Sequence, residues 1–263
     1  KEFVWLVVGS LVTLVLLVAL IGWGAGWIAP RIPYRYEARL VNGFALLPKP
    51  TTPAAIAAQK ELQALADRLA VHMQWPEGMR VQVHYSDSNT VNAMATLGGQ
   101  TIFFRGLLRK LEHEDTLAMV LAHEMAHLKY RHPAQALGRG IGVGIVLSMV
   151  STELGRSAAG SVLSNAGVTT LLAFNRDQER AADEEALRVL AAEYGHVAGA
   201  LELFELFQKL PRETPSAQTP ALELFHTHPL TENRLALARA WAKDKGVAVE
   251  GARPPLPPTL VLP

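Results

Sequence analysis

Two histidines four residues apart, with a glutamate directly after the first, stand at His123-Glu124-Met125-Ala126-His127. On a helix, positions i and i+4 lie on one face, so both imidazoles can reach one metal ion while the glutamate points toward the same site. Two ligands with a carboxylate base beside them suit zinc-assisted hydrolysis, in which the metal acidifies a water molecule and the base takes its proton. The surroundings favour a helix here. The acids of the stretch 112–115 precede the run Thr116, Leu117, Met119, Val120 and Leu121, and acids at a helix start are stabilised by the helix dipole. The motif is therefore expected in mid-helix and partly buried.

A catalytic zinc site usually has three protein ligands and one open position. A metzincin would need a Gly at position 130 and a His at position 133, but Tyr130 and Pro133 stand there. A later carboxylate is the alternative, and Asn175-Arg176-Asp177-Gln178-Glu179-Arg180-Ala181-Ala182-Asp183 offers Glu179 and Asp183, again at i and i+4. One can bind metal while the other, a turn away, receives the free ring N–H of a ligand histidine. His132 and Glu153 rival them by residue type only, and His132, five beyond His127, falls on another helix face.

Four ordered segments carry a family resemblance. They are Leu121 to His127, then Glu179 with Asp183, then His226-Thr227-His228-Pro229 with Arg234, and earlier Asn92-Ala93-Met94-Ala95-Thr96-Leu97-Gly98-Gly99-Gln100-Thr101-Ile102-Phe103-Phe104. Together they resemble the HtpX and CaaX-prenyl-protease type of membrane-associated zinc metallopeptidases over roughly residues 85–235. Leu97 and Ala181 depart from the family pattern, and neither is a ligand. The resemblance implies an α+β, mainly α, zincin-like domain with a small β-sheet beside the HExxH helix. It also implies one Zn2+ per chain on His123, His127 and Glu179, with Asp183 orienting a ligand histidine and Glu124 as general base. His228 and Arg234 match family residues proposed to stabilise the oxyanion. His228 has a second possible role, binding zinc in a resting state and blocking the water position.

The elements that must position these residues follow from pattern. Lys+Arg and Asp+Glu number 25 and 24, the net charge is +1 and the basic residues form no stripe, so nucleic acid is not an expected partner. The chain has no Cys, which leaves zinc to histidine and carboxylate. From Phe3 to Ala29 there is no charged side chain, enough to cross a bilayer of ~30 Å and longer than the apolar core of a cleaved signal peptide. Residues 1–30 are therefore expected to be a single transmembrane anchor contacting lipid through residues 3–29, with Trp5, Trp23 and Trp27 near its ends. Residues 31–53 read as a Pro-rich linker, 54–245 as the metallopeptidase domain and 246–263 as a Pro-rich extended tail.

Within the domain, Ile56, Leu62, Leu65, Ala66 and Leu69 predict a helix from Pro53 to about Met73. Alternation predicts a strand from Arg80 to Tyr85, with short strands at 92–96 and 101–104 around Gly98-Gly99. Asn92, Ala93, Met94 and Ala95 are candidate substrate-binding residues, since an exposed edge strand near the metal can take up a peptide as an added strand; a plain structural hairpin is the alternative. Residues 137–174 are expected to pack over the site as helices or loops and act as a lid, with a re-entrant or membrane-surface segment as the alternative. Helices are expected at 197–210 and 230–243.

The resulting expectation is a membrane-anchored zinc endopeptidase acting on misfolded or damaged proteins, with a membrane protein as a further possible partner. A chaperone-like subunit with a silent metal site and a hydrolase of non-peptide amides are the alternatives. Arg31, Arg35 and Arg39 after the span favour a cytoplasmic domain by charge, whereas the resemblance to single-anchor relatives implies the periplasmic face of an inner membrane, the placement adopted.

Overall fold

A computed structural model describes residues 1–41, 47–140, 174–209, 228 and 233–261 of the chain. The N-terminal segment forms α1 (Glu2–Ile28), with mean hydropathy 2.9 over its most apolar window. At 1.5 Å per residue its 27 residues run about 40 Å, so it is long and apolar enough to cross a membrane. Phe3, Trp5, Leu16, Leu20, Trp23 and Trp27 are exposed along it. A tight turn through Pro30 leads into α2 (Tyr34–Val41).

The domain begins with α3 (Pro53–Ala70). Thr52 caps it by accepting from the Ala55 N–H at 3.2 Å, and Pro53 occupies the first turn, where no N–H is needed. Leu62, Leu65, Ala66 and Leu69 face the core as the helical spacing predicts, but Ile56 is exposed and Ala55 and Ala58 take the buried face instead, and the helix stops at Ala70, short of Met73.

Three strands follow, β1 (Gln82–Ser86), β2 (Ala93–Thr96) and β3 (Gln100–Phe104), in the order β1-β3-β2. β1 runs parallel to β3, and β2 is antiparallel to it with Ala93 opposite Phe103 and Thr96 opposite Gln100. The β2–β3 turn places Gly98 and Gly99 at φ of 68° and 72°, the left-handed region that glycine enters without strain. The Phe104 N–H donates to the Asn92 carbonyl, which makes this opposed pair hydrogen-bonded. Alternation then turns the backbone groups of Ala93 and Ala95 away from β3, toward the edge that no described strand pairs, although both residues are buried rather than exposed as expected.

After α4 (Arg105–Leu108), α5 (Glu114–Lys129) runs through the centre of the domain and is buried continuously from Asp115 to Leu128. It packs most extensively against α6 (Arg176–Tyr194) and α7 (Ala198–Lys209). α6 starts in a capping box, Asn175 with Gln178, and ends at the left-handed Gly195. α8 (Arg234–Lys245) and α9 (Pro258–Val261) complete the described elements, which are mainly helical with one small sheet.

The segment after α8 is not the free extended tail expected from its prolines. Arg253 donates to the fully buried carboxylate of Asp115 at 3.0 and 3.1 Å and also pairs with Glu202, while Leu256 and Leu260 enter the core. A buried charge at the head of α5 needs a partner, and this strap supplies it. The expected lid falls mostly within 141–173, and it, Glu153, His226 and the expected helix start at 230 lie outside the described residues.

Candidate active site

α5 carries His123, Glu124 and His127, and α6 brings Glu179 and Asp183 across from it. His123 Nε2 and His127 Nε2 are 3.0 Å apart. Glu179 spans them, with Oε2 3.5 Å from His123 Nε2 and Oε1 3.4 Å from His127 Nε2. His228 enters the same cluster, its Nδ1 3.2 Å from His123 Nε2 and 3.0 Å from Glu179 Oε1. All four residues are buried, and one ligand atom from each lies within 4.8 Å of every other. Two atoms bound tetrahedrally to one zinc ion at ~2.1 Å would be about 3.4 Å apart, so these separations fit a single ion.

The charges fit as well. The carboxylates of Glu124, Glu179 and Asp183 outnumber the one buried guanidinium beside them, that of Arg234, by two negative charges, which protonated His228 offsets in part. A divalent cation would neutralise them. Burial pushes the His127 imidazole down to about 4, which keeps it neutral and able to ligate. Burial would lower His228 too, but the carboxylates of Glu179 and Glu124 outweigh it and hold it up at about 10. Burial alone would raise the carboxyl of Glu179, yet His228 and its hydrogen bonds with His123 and His127 hold it far below the usual range. Glu124 is likewise held low against burial, chiefly by His228.

Glu124 is 1% exposed. Its Oε1 lies 3.3 Å from His228 Nε2, and its Oε2 is buried without a hydrogen-bond partner. Asp183 Oδ1 sits 3.0 Å from His123 Nδ1, the ring nitrogen on the far side from the cluster. Arg234 grips Asp183 from behind, with Nε donating to Oδ2 at 2.7 Å and Nη2 to Oδ1 at 2.5 Å. Its Nη1 is 3.7 Å from Glu179 Oε2, and its guanidinium rests over the Phe204 ring at 4.8 Å. The seven residues assigned from sequence to metal, base and support thus converge on one centre.

Two neighbours were not anticipated. His132 Nδ1 lies 2.8 Å from His127 Nδ1, although helical continuation placed it on another face. Arg131, at φ 60°, takes the chain off α5 and folds His132 back onto the ligand. The sequence signal was Pro133, because a proline belongs in the first turn of a new helix and α5 must end before it. Phe174 stacks on His127 with ring centroids 4.0 Å apart and 19° between planes; nothing in its sequence setting marked it.

β2 packs against α5, and Ala95 shares a small buried cluster with Met79 and Leu128, the residue after His127. Asn92 is fully buried, and both polar atoms of its amide lack a hydrogen-bond partner.

Comparison with known proteins agrees with this centre. Residues 57–242 match the profile of peptidase family M48. The beta-barrel assembly-enhancing protease of Escherichia coli K12 is 30% identical over 190 residues, 68% of this chain and 37% of that protein, and its Yersinia pestis counterpart is 29% identical over the same shares. Mitochondrial metalloendopeptidase OMA1 of Schizosaccharomyces pombe is 29% identical over 174 residues, 65% of this chain and 50% of that protein. The chain therefore spans about a third to a half of the length of these relatives. Its matched residues include the whole of the histidine and carboxylate cluster held by α5 and α6, and the chain belongs to peptidase family M48 as a metalloprotease.

Proposed function

We propose that the chain is a membrane-anchored zinc endopeptidase that hydrolyses unfolded or damaged polypeptides. The observation that carries this reading is the buried carboxylate of Glu124, which has a free oxygen beside a ready-made cluster of His123, His127, Glu179 and His228. A site that only held structure together would have no use for an uncommitted base. The names of the relatives, which are proteases and endopeptidases, support a polypeptide substrate.

His123, His127 and Glu179 would hold the ion, and zinc suits a nitrogen and carboxylate donor set without thiolate. Zinc supplies Lewis acidity, making water nucleophilic near neutral pH and polarising the scissile carbonyl. Glu124 takes the proton of the attacking water on Oε2 and returns it to the leaving amine nitrogen. Asp183 holds His123 in the ligating tautomer through Nδ1, and His132 does the same for His127. His228, set among the ligand atoms, would bind the ion in a latent state and exclude water from it. The alternative role for His228 is donation to the oxyanion, with Arg234 acting from behind.

The edge of β2 away from β3 receives substrate as an added strand. Ala93 and Ala95 offer outward backbone groups, Asn92 an amide in need of partners and Met94 a side chain on the opposite face. Recognition through backbone groups depends little on sequence, which suits an enzyme for unfolded chains. α1 anchors the domain in the inner membrane, with the catalytic domain at the periplasmic face and the exposed side of α1 available to a membrane protein partner.

The test is cleavage of casein by the zinc-loaded full chain in detergent, beside Glu124→Gln and a chelator-treated sample. Activity that falls about 10²- to 10⁴-fold in Glu124→Gln with zinc retained, and is lost on chelation, is the expected result. Equal activity in all three samples would refute the assignment.

A further inference from the structure

We propose that Glu37, in the short helix that follows the membrane span, is a positioning residue for the peptidase site, tying the turn beside the edge strand to the end of the metal-ligating helix. The inference rests on the reading that β2 receives substrate.

Glu37 is 6% exposed, although Arg35, Tyr36 and Arg39 around it on α2 are open to solvent. Its carboxylate has two partners from distant parts of the chain. Oε1 accepts from the Gly98 N–H at 2.9 Å, and Oε2 meets Arg131 Nη2 at 2.5 Å. Tyr34, one turn earlier on α2, donates its hydroxyl to the Gly98 carbonyl at 2.7 Å. α2 thus holds both backbone groups of Gly98, the residue that reverses the chain between β2 and β3. Gly99 lets the helix come this close, since a Cβ there would fall 2.8 Å from the Tyr34 hydroxyl and 2.2 Å from the Arg80 carbonyl.

The other arm of the clasp reaches the metal. Arg131 has a left-handed backbone, and its side chain also donates to the Ile32 carbonyl at 2.9 Å. It adjoins His132, which contacts His127. A displacement of Glu37 therefore acts on the edge strand through Gly98 and on a ligand histidine through Arg131 and His132. Both groups facing the carboxylate are donors, so an acceptor-only side chain is required and an amide would satisfy one side at most. Buried ion pairs are poor sources of net stability, because desolvation offsets the attraction. The placement of this one, between two elements of the site, suits fixing their geometry.

The experiment uses the full chain in detergent and compares Glu37→Gln and the double variant Glu37→Met with Arg131→Met against the parent. Zinc content, thermal midpoint, amide hydrogen exchange over residues 93–100, and KM and kcat on an unstructured peptide are measured. Glu37→Gln is expected to keep stoichiometric zinc, to exchange faster at Gly98 and along β2, and to raise KM about fivefold or more. The double variant removes both charges and should recover thermal stability, yet it still lacks the acceptor for Gly98 and so keeps the fast exchange and high KM. Parental exchange and KM in either variant would overturn the proposal. Ala95→Pro, which removes an outward N–H of β2, scores the edge-strand reading separately. A parental KM there sinks that reading, whereas the exchange data alone decide the clasp.

Discussion

Asp183 Oδ1 lies 3.0 Å from His123 Nδ1 while both oxygens of the same carboxylate accept from Arg234, so a metal ligand, its orienting acid and a guanidinium form one line through the domain. A ring held this way keeps its other nitrogen unprotonated and aimed at the cluster. Asp183→Asn is expected to weaken zinc binding about 10- to 100-fold in a competition titration against a chromophoric chelator. Arg234→Lys, which cannot reproduce the paired hydrogen bonds, should shift zinc affinity in the same direction. Parental affinity in both variants would remove the line from the account.

His228 stands among the ligand atoms and against Glu124, at 3.0 Å from Glu179 and 3.3 Å from the base. A side chain so placed excludes water from the position the reaction needs. His228→Ala is accordingly expected to raise basal cleavage of casein. A fall of about 10²-fold would instead assign His228 to the oxyanion and count against latency.

Ala95 directs its backbone N–H away from β3, so proline there removes a donor for substrate without breaking the ladder within the sheet. KM should rise about fivefold or more with kcat held within about twofold, the pattern of lost uniform binding. Initial rates over a range of peptide concentrations decide it.

Glu185 on α6 binds Lys129 at the end of α5, with Oε1 2.8 Å from Nζ, and also pairs with Arg188. Burial would raise its carboxyl, but Arg188 and Lys129 outweigh it and hold it below its ordinary value of 4.5. A depressed carboxyl adds stability that is present above the unfolded value and is lost as pH falls through the folded one. Thermal midpoints of the parent should therefore decline below about pH 4.5, and Glu185→Gln should lie lower at pH 7 with the gap closing in acid. A gap independent of pH would exclude this contribution.

What the sequence determined by itself was whatever depends on local periodicity. His123 and His127 share a face because they are four apart on a helix, Glu179 and Asp183 repeat that spacing, and the apolar stripe of α3 and the uncharged run of α1 follow from the same regularity. These features survive in any fold that keeps the helices. Proline punctuation was legible too, although it misled at the tail, where prolines permitted an extended path but the buried charge of Asp115 held that path against the core. Only the tertiary structure decided which groups meet across the chain. His228 reaches the ligand cluster from 105 positions beyond His123, and Arg234 turns to Asp183. His132 folds back onto His127 because Arg131 leaves the helix, and Glu37 finds Gly98 and Arg131. Such contacts are set by how helices and strands pack, and each buried polar group is drawn to the partner that packing leaves within reach.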